Sequence, residues 1–305
     1  MEIVECVPNF STSDSKTIES ILAEIRRTKN AFLLDVTFDD YYDRLVVSFA
    51  GNKKSVLKAA LSAAGKAVEL IDMKKHKGQH PRIGAVDVVP FIPIRDVSME
   101  ECVELARRFG RTFAEKYKVP VYLYGEASSN REHGDLDYIR EGGYEELAEN
   151  IVKPERKPDF GQAKFNAKSG ATIAGARRIM AGFNVNLGTG DLKIAKKIAR
   201  ALHAQKGGFS DVKAMAAVIP ERNVTQIGMS ISDFERTPLY RVFETLKIEC
   251  ARYNVPIISS EFCGMAPLKA LIDSVGYYLK IDNLTQNRVL EVAIRDAVEG
   301  GGKPE

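Results

Sequence analysis

The chain has little cysteine: among 305 residues only Cys6, Cys102, Cys250 and Cys263 occur, too far apart for the paired spacing of a zinc site. A secretory leader is missing as well. The opening MEIVECVPNF sets Glu2 and Glu5 inside its apolar run and has no basic start, so it reads as a strand. Thiols without a route to an oxidising compartment read as reduced, which excludes a disulfide framework and points to the cytoplasm. No apolar run approaches the ~18 residues that a membrane span requires. Charge of one sign is also scarce, the balance being +3, and this gives no footing for nucleic acid.

What is present is the composition of an ordinary soluble domain, 45% hydrophobic and 28% charged. The length exceeds what one hydrophobic core usually fills, so two lobes are expected, residues 1–178 and 179–305. The second lobe reads cleanly. Strands are expected over 181–187, 212–219, 223–231 and 255–259, with a turn at Pro220-Glu-Arg and helices over 191–203 and 238–253. That order, β-α-β-β-α-β, is the split βαβ plan of ferredoxin-like domains, giving an α+β class.

The first lobe fits the same plan through Val89: strands at 3–7, 31–36, 44–50 and 83–92, helices at 14–25 and 56–71. A further helix follows from Ser98, which forms a capping box with Glu101, and then a strand at 121–124. A helix over 140–152 leads into Lys153–Gly175, where no period survives, read as the connection between lobes. Helices should recur within 268–295, and Glu299–Glu305 should fray.

The most informative stretch is Met73–Pro93, MKKHKGQHPRIGAVDVVPFIP, which sets two histidines in a basic loop broken by glycine and proline. Pro81 biases His80 toward an extended backbone, and an imidazole's ordinary pKa suits proton transfer near neutrality. The alternative is a histidine that only caps a surface turn. Arg82, two residues on, points to the same face in an extended chain and could grip a carboxylate with two parallel hydrogen bonds, or simply pair with Asp87 or Asp96. His76 and His80 have metal-ligand spacing only on a helix, which Gly78 and Pro81 argue against. The acidic turn Asp39, Asp40, Asp43 either meets a cationic group or is merely solvated. His133 and His203 stand alone. The run Phe160–Gly170 could bring backbone N–H groups to a ligand, but it lacks the spacing of a phosphate loop.

Several stretches together resemble the formiminotransferase family: Val4–Phe10, His76–Arg82, Gly84–Pro93, Val119–Ala127, Pro158–Gly161, Ser169–Thr172, Gly175–Arg177 and Pro267–Leu271. They keep the family's order across nearly the whole chain, and the helical cyclodeaminase part is not expected here. The resemblance implies two related lobes with a ligand cleft between them, and transfer of a formimino group from N-formiminoglutamate to N5 of tetrahydrofolate in histidine degradation. Tetrahydrofolate is then a co-substrate, and the implied partners are small molecules, a homodimer mate and a separate cyclodeaminase.

The family's catalytic histidine falls on His80. Its folate stretch falls on Gly161, Gln162, Ala163, Lys164, Phe165, Asn166, Ala167, Lys168, Ser169 and Gly170. Animal relatives carry tryptophan there and this chain has none, so Phe165 is the candidate apolar contact and Lys164 and Lys168 suit a glutamate tail. Arg44, Arg82, Arg177 and Arg178 are candidate carboxylate anchors from charge alone. A formyl donor on the same site, N-formylglutamate or 5-formyltetrahydrofolate, and a non-catalytic folate-binding protein are the competing expectations. No metal is expected, so turnover measured with and without a strong chelator should be the same; loss of activity that added metal restores would contradict this.

Overall fold

The computed structural model describes residues 2–130, 132–219 and 222–299. The expected turn at Pro220-Glu221 and the tail from Gly300 on lie outside these. Two compact units meet between Arg178 and Ile179.

In the first unit, β1 (Ile3–Cys6) and β2 (Asn9–Phe10) are two pieces of one strand interrupted around Pro8, which has no N–H to offer a ladder. The first strand ends ahead of Pro8, as expected, and β2 resumes the ladder beyond it. Both pieces pair with the same neighbours. The Asp14 carboxylate caps α1 (Ser15–Arg26) by accepting from Thr17 N at 2.8 Å. There follow β3 (Ala31–Asp39), β4 (Arg44–Gly51), α2 (Lys53–Leu70), β5 (Val86–Arg95) and α3 (Met99–Tyr117), whose capping box at Ser98 and Glu101 is formed. Then come β6 (Val121–Gly125), α4 (Leu136–Arg140), α5 (Gly143–Asn150) and β7 (Thr172–Ala176).

The sheet runs β3-β4-β1/β2-β5-β7-β6, antiparallel as far as β5 and parallel beyond it. One face carries the main core, where α1, α2 and α3 bury Ile21, Ile25, Phe91, Phe109 and Phe113. The opposite face of β5, β6 and β7 carries a smaller core of Val88, Tyr122, Tyr124, Ile139, Leu147 and Ile173, which seats α4 and α5.

Two expectations fail here. The stretch 153–175 is not a connection between units: it lies within the first, and its end is the start of the buried strand β7. Strands covered on both faces show no alternation, and Thr-Ile-Ala-Gly-Ala lacks the bulk that usually marks one. The helix expected over 140–152 is the shorter α5, which starts only after Gly142 at φ +80°, and α4 ahead of it was not expected.

In the second unit β8 (Ala181–Leu187), α6 (Leu192–Leu202), β9 (Val212–Ile219), β10 (Val224–Ile231), α7 (Leu239–Arg252) and β11 (Ile257–Phe262) follow the expected order, then α8 (Leu268–Leu279) and α9 (Leu290–Glu299). The sheet is β11-β8-β10-β9, antiparallel throughout. Counting β1/β2 as one strand, the first four strands of the first unit and the four of the second share the order fourth-first-third-second. The chain is α+β.

The strand expected from Ile83 begins only at Val86. Residues 83–85 bond instead to the chain just before β7: Ala171 N donates to Ile83 O at 3.0 Å and Ala85 N to Ser169 O at 2.9 Å. A Cβ on Gly84 would stand 2.1 Å from Ala171 O and 2.5 Å from Ser169 O. Gly84→Ala should therefore cost ~1–3 kcal/mol of stability through overpacking, read from the denaturant midpoint. An unchanged midpoint would show that this contact does not constrain the fold.

Candidate active site

The chain from Ile71 to Ala85 joins α2 to β5 and is pinned along its length. Met73 N donates to Lys168 O at 2.8 Å and Lys75 N to Asp72 O at 2.9 Å. At Gly78 the backbone passes so close to the β3–β4 turn that a Cβ would stand 2.0 Å from Tyr42 O. Glycine is thus needed for close approach, beyond the sharp turn that the sequence suggested.

His80 lines a small pocket together with Asn9, Phe10, Ser11, Tyr42, Asp43, Arg44, His76, Arg82 and Asp87. Its Nδ1 is buried and has no hydrogen-bond partner among the described residues. The Tyr42 ring meets the imidazole edge-on, with centroids 6.1 Å apart and planes at 85°. Burial above all, then the nearby Arg44, Arg140 and Arg82 charges, lower the His80 pKa to about 3 against a small opposing pull from the Pro81 carbonyl. The ring is neutral at physiological pH, with one N–H and one free lone pair.

The guanidinium groups around it are themselves held. Arg44 Nε donates to Asn9 Oδ1 at 3.0 Å. Arg140 pairs with Asp87, whose other oxygen accepts from Ile83 N at 3.0 Å. Arg82 forms a two-pronged pair with Glu145, at 2.9 and 2.7 Å, and its Nε donates to His76 Nδ1 at 3.1 Å. His76 Nε2 in turn lies 2.8 Å from Asp43 O, and the Asp43 carboxylate accepts from Ser13 N at 2.7 Å.

The sequence candidates His80, Arg44 and Arg82 therefore converge on one pocket. Arg82, expected to grip a substrate carboxylate or to pair with Asp87 or Asp96, spends its paired donors on the Glu145 carboxylate instead. Asp43 lines the pocket, whereas Asp39 and Asp40 are exposed, Asp39 accepting from Tyr42 N at 2.8 Å. None of the ten residues Gly161–Gly170 lines this pocket. They reach the histidine loop through the backbone, by the bonds of Lys168 O to Met73 N and Ser169 O to Ala85 N. Gly161 to Lys164 are exposed, Phe165 packs against the Tyr144 ring at 5.4 Å, and Lys168 Nζ donates to Glu69 O at 2.9 Å. Among the described residues no three His, Cys, Asp or Glu side chains converge as a metal set. His133 is buried, its pKa raised chiefly by Asp159, and His203 caps the turn after α6.

Sequence reasoning missed Asn9, Arg140 and Glu145. Arg140 stands 53 residues from its partner Asp87, and Glu145 stands 63 from Arg82. No local pattern couples positions so distant.

An unfolded histidine takes up a proton below about pH 6.5, whereas folded His80 does not until about pH 3. Its contribution to stability is whole above the first value and is lost as pH falls toward the second. NMR of the free protein should show no imidazolium signal for His80 between pH 5 and 8, and Arg44→Gln should raise its pKa. A normal titration in that range would overturn this picture.

The chain matches the formiminotransferase domain, N-terminal subdomain, over residues 3–177 and the formiminotransferase domain over residues 182–300. It is 41% identical to the glutamate formimidoyltransferase of Thermoplasma acidophilum, covering 95% of this chain and 97% of that one. Identity to the enzyme of the same name from Streptococcus pyogenes is 37%, over 94% and 96%. With the formimidoyltransferase-cyclodeaminase of Mus musculus it shares 42% over 93% of its own length, and spans 53% of that longer protein. By these matches, which run along both units, the chain belongs to the formiminotransferase family.

Proposed function

We propose that the chain is a glutamate formimidoyltransferase, moving the formimino group of N-formimino-L-glutamate to N5 of tetrahydrofolate. The family match supports the reaction. One structural observation carries the assignment of the residue: the buried nitrogen left without a partner in the pocket is an imidazole nitrogen, His80 Nδ1.

The chemistry needs such a group. N5 attacks the formimino carbon, a C–N bond forms, and the carbon becomes tetrahedral with three nitrogens. The proton on N5 must leave and the departing glutamate nitrogen must gain one, so the bond to glutamate breaks as the proton arrives. A single imidazole can accept the first proton and deliver it to the second nitrogen, with no net change in the protein. In the free protein His80 is a weak base because of burial and guanidinium charge. A substrate carboxylate entering beside Arg44 offsets that charge, so the ring becomes basic when the donor is in place.

The pocket around His80 is far too small for a whole folate, so only the reacting end of the substrates is proposed to reach it. The folate's remainder belongs in this proposal along Gly161, Gln162, Ala163, Lys164, Phe165, Asn166, Ala167, Lys168, Ser169 and Gly170. The exposed Gly161 to Lys164, with the Phe165 ring, offer apolar and cationic contacts. Arg44 is proposed to anchor the donor's carboxylate, and Arg82 to hold the loop. Both units are proposed as ferredoxin-like lobes, of a cytoplasmic homodimer. The product needs a cyclodeaminase, an activity named within one chain in the mouse relative.

Steady-state turnover with formiminoglutamate and tetrahydrofolate is the test. His80→Ala should lower kcat by ~10²–10⁴-fold while folate binding persists. Turnover with a formyl donor but none with formiminoglutamate would replace the donor. An unchanged rate in His80→Ala would remove the assigned role and leave a folate-binding function in its place.

A further inference from the structure

We propose that His76, the other histidine of the loop, is a positioning residue: it joins Arg82 to the β3–β4 turn and thereby aims His80. The inference rests on His80 being the proton shuttle.

Geometry fixes what His76 can do. An arginine side chain only donates, so the His76 Nδ1 that lies 3.1 Å from Arg82 Nε must present a bare lone pair. The neutral ring then carries its hydrogen on Nε2, which donates to Asp43 O at 2.8 Å. Both nitrogens are committed and the side chain is only 2% exposed, so His76 has no site left for substrate or metal.

What it joins are the two supports of His80. On one side stands Arg82, separated from His80 by Pro81 alone and clamped by Glu145 of α5. The pair is real in charge terms too: Arg82 holds the Glu145 carboxyl below its usual range. On the other side is the turn from Asp40 to Asp43. Its Tyr42 ring meets the His80 imidazole and its Tyr42 carbonyl lies against Gly78. Without the His76 link, Arg82 loses a partner and the turn loses its side-chain tie to the loop, keeping the backbone bond from Gln79 N to Tyr41 O. The imidazole then keeps its chemistry but not its aim, and small misplacements of a reacting group are costly.

Wild type, His76→Ala, His76→Gln, Glu145→Gln and the His76→Ala/Glu145→Gln double variant would be compared in the formiminoglutamate assay. His76→Ala should lower kcat about 10²-fold with KM for both substrates nearly unchanged. His76→Gln, which keeps one acceptor and one donor, should recover much of it. Glu145→Gln, at a side chain 61% exposed, should fold and lower kcat more modestly. Since both act through Arg82, the double variant should lose no more than His76→Ala alone.

Wild-type turnover in His76→Ala, a loss confined to KM, or independent multiplying losses in the double variant would overturn the proposal. Should His76→Ala fail to fold, Glu145→Gln at full turnover does the same. Nitrogen-15 spectra of the wild type give a separate check: hydrogen on Nδ1 of His76 instead of Nε2 contradicts the geometry. Full activity in His80→Ala would instead sink the underlying assignment, so the two failures are distinguishable.

Discussion

Everything in the first unit depends on two backbone strips passing within hydrogen-bond contact, Ile83–Ala85 against Ser169–Ala171. Gly84 faces Gly170 across a bridge too tight for a side chain on either. That contact fixes the end of the histidine loop, sets where β5 begins, and brings the stretch 161–170 to the loop without any side chain from it entering the pocket. Two segments nearly ninety residues apart meet because neither carries a Cβ at the crossing. A buried backbone must find hydrogen-bond partners, and here each strip is the other's partner.

The electrostatics follow from that arrangement. Three guanidinium groups stand near one imidazole, and each has a partner: Asn9 for Arg44, Glu145 for Arg82, Asp87 for Arg140. The partners hold the arginines in place but do not cancel their effect on His80, which with burial keeps the ring neutral. A neutral imidazole with an unused nitrogen, beside fixed positive charge, is ready for an anionic substrate.

The second, smaller core on the far face of β5, β6 and β7 has a consequence for the site. By seating α4 and α5 there, it delivers Arg140 and Glu145 to the loop. A helix pair packed on the outer face of a sheet thus acts on a residue that the inner elements carry. A cavity mutation in that core, far from any substrate, would act on His80 through Arg82.

Much of this was legible in the sequence. Helical periodicity and the Ser98–Glu101 capping box rest on neighbours a few residues apart, so local reading found them. The βαββαβ order of the second unit followed from the same kind of signal, and the His-Pro-Arg run marked His80, Arg82 and the loop. Long-range pairing was not legible. Strand β7 was hidden because a strand buried on both faces needs no alternation, and 153–175 read as a linker for that reason. The helix expected from Arg140 starts only after Gly142, and the short α4 before it left no periodic signal.

Local pattern by itself determined which segments become helices and strands, and which histidine sits in a constrained loop, since those properties depend on near neighbours and on backbone stereochemistry. Only the tertiary structure decided that Arg82 belongs to Glu145 and His76, that Arg140 belongs to Asp87, and that His80 keeps a bare nitrogen. Those outcomes turn on desolvation and on contacts across 53 and 63 residues of chain, and folding alone brings such positions together.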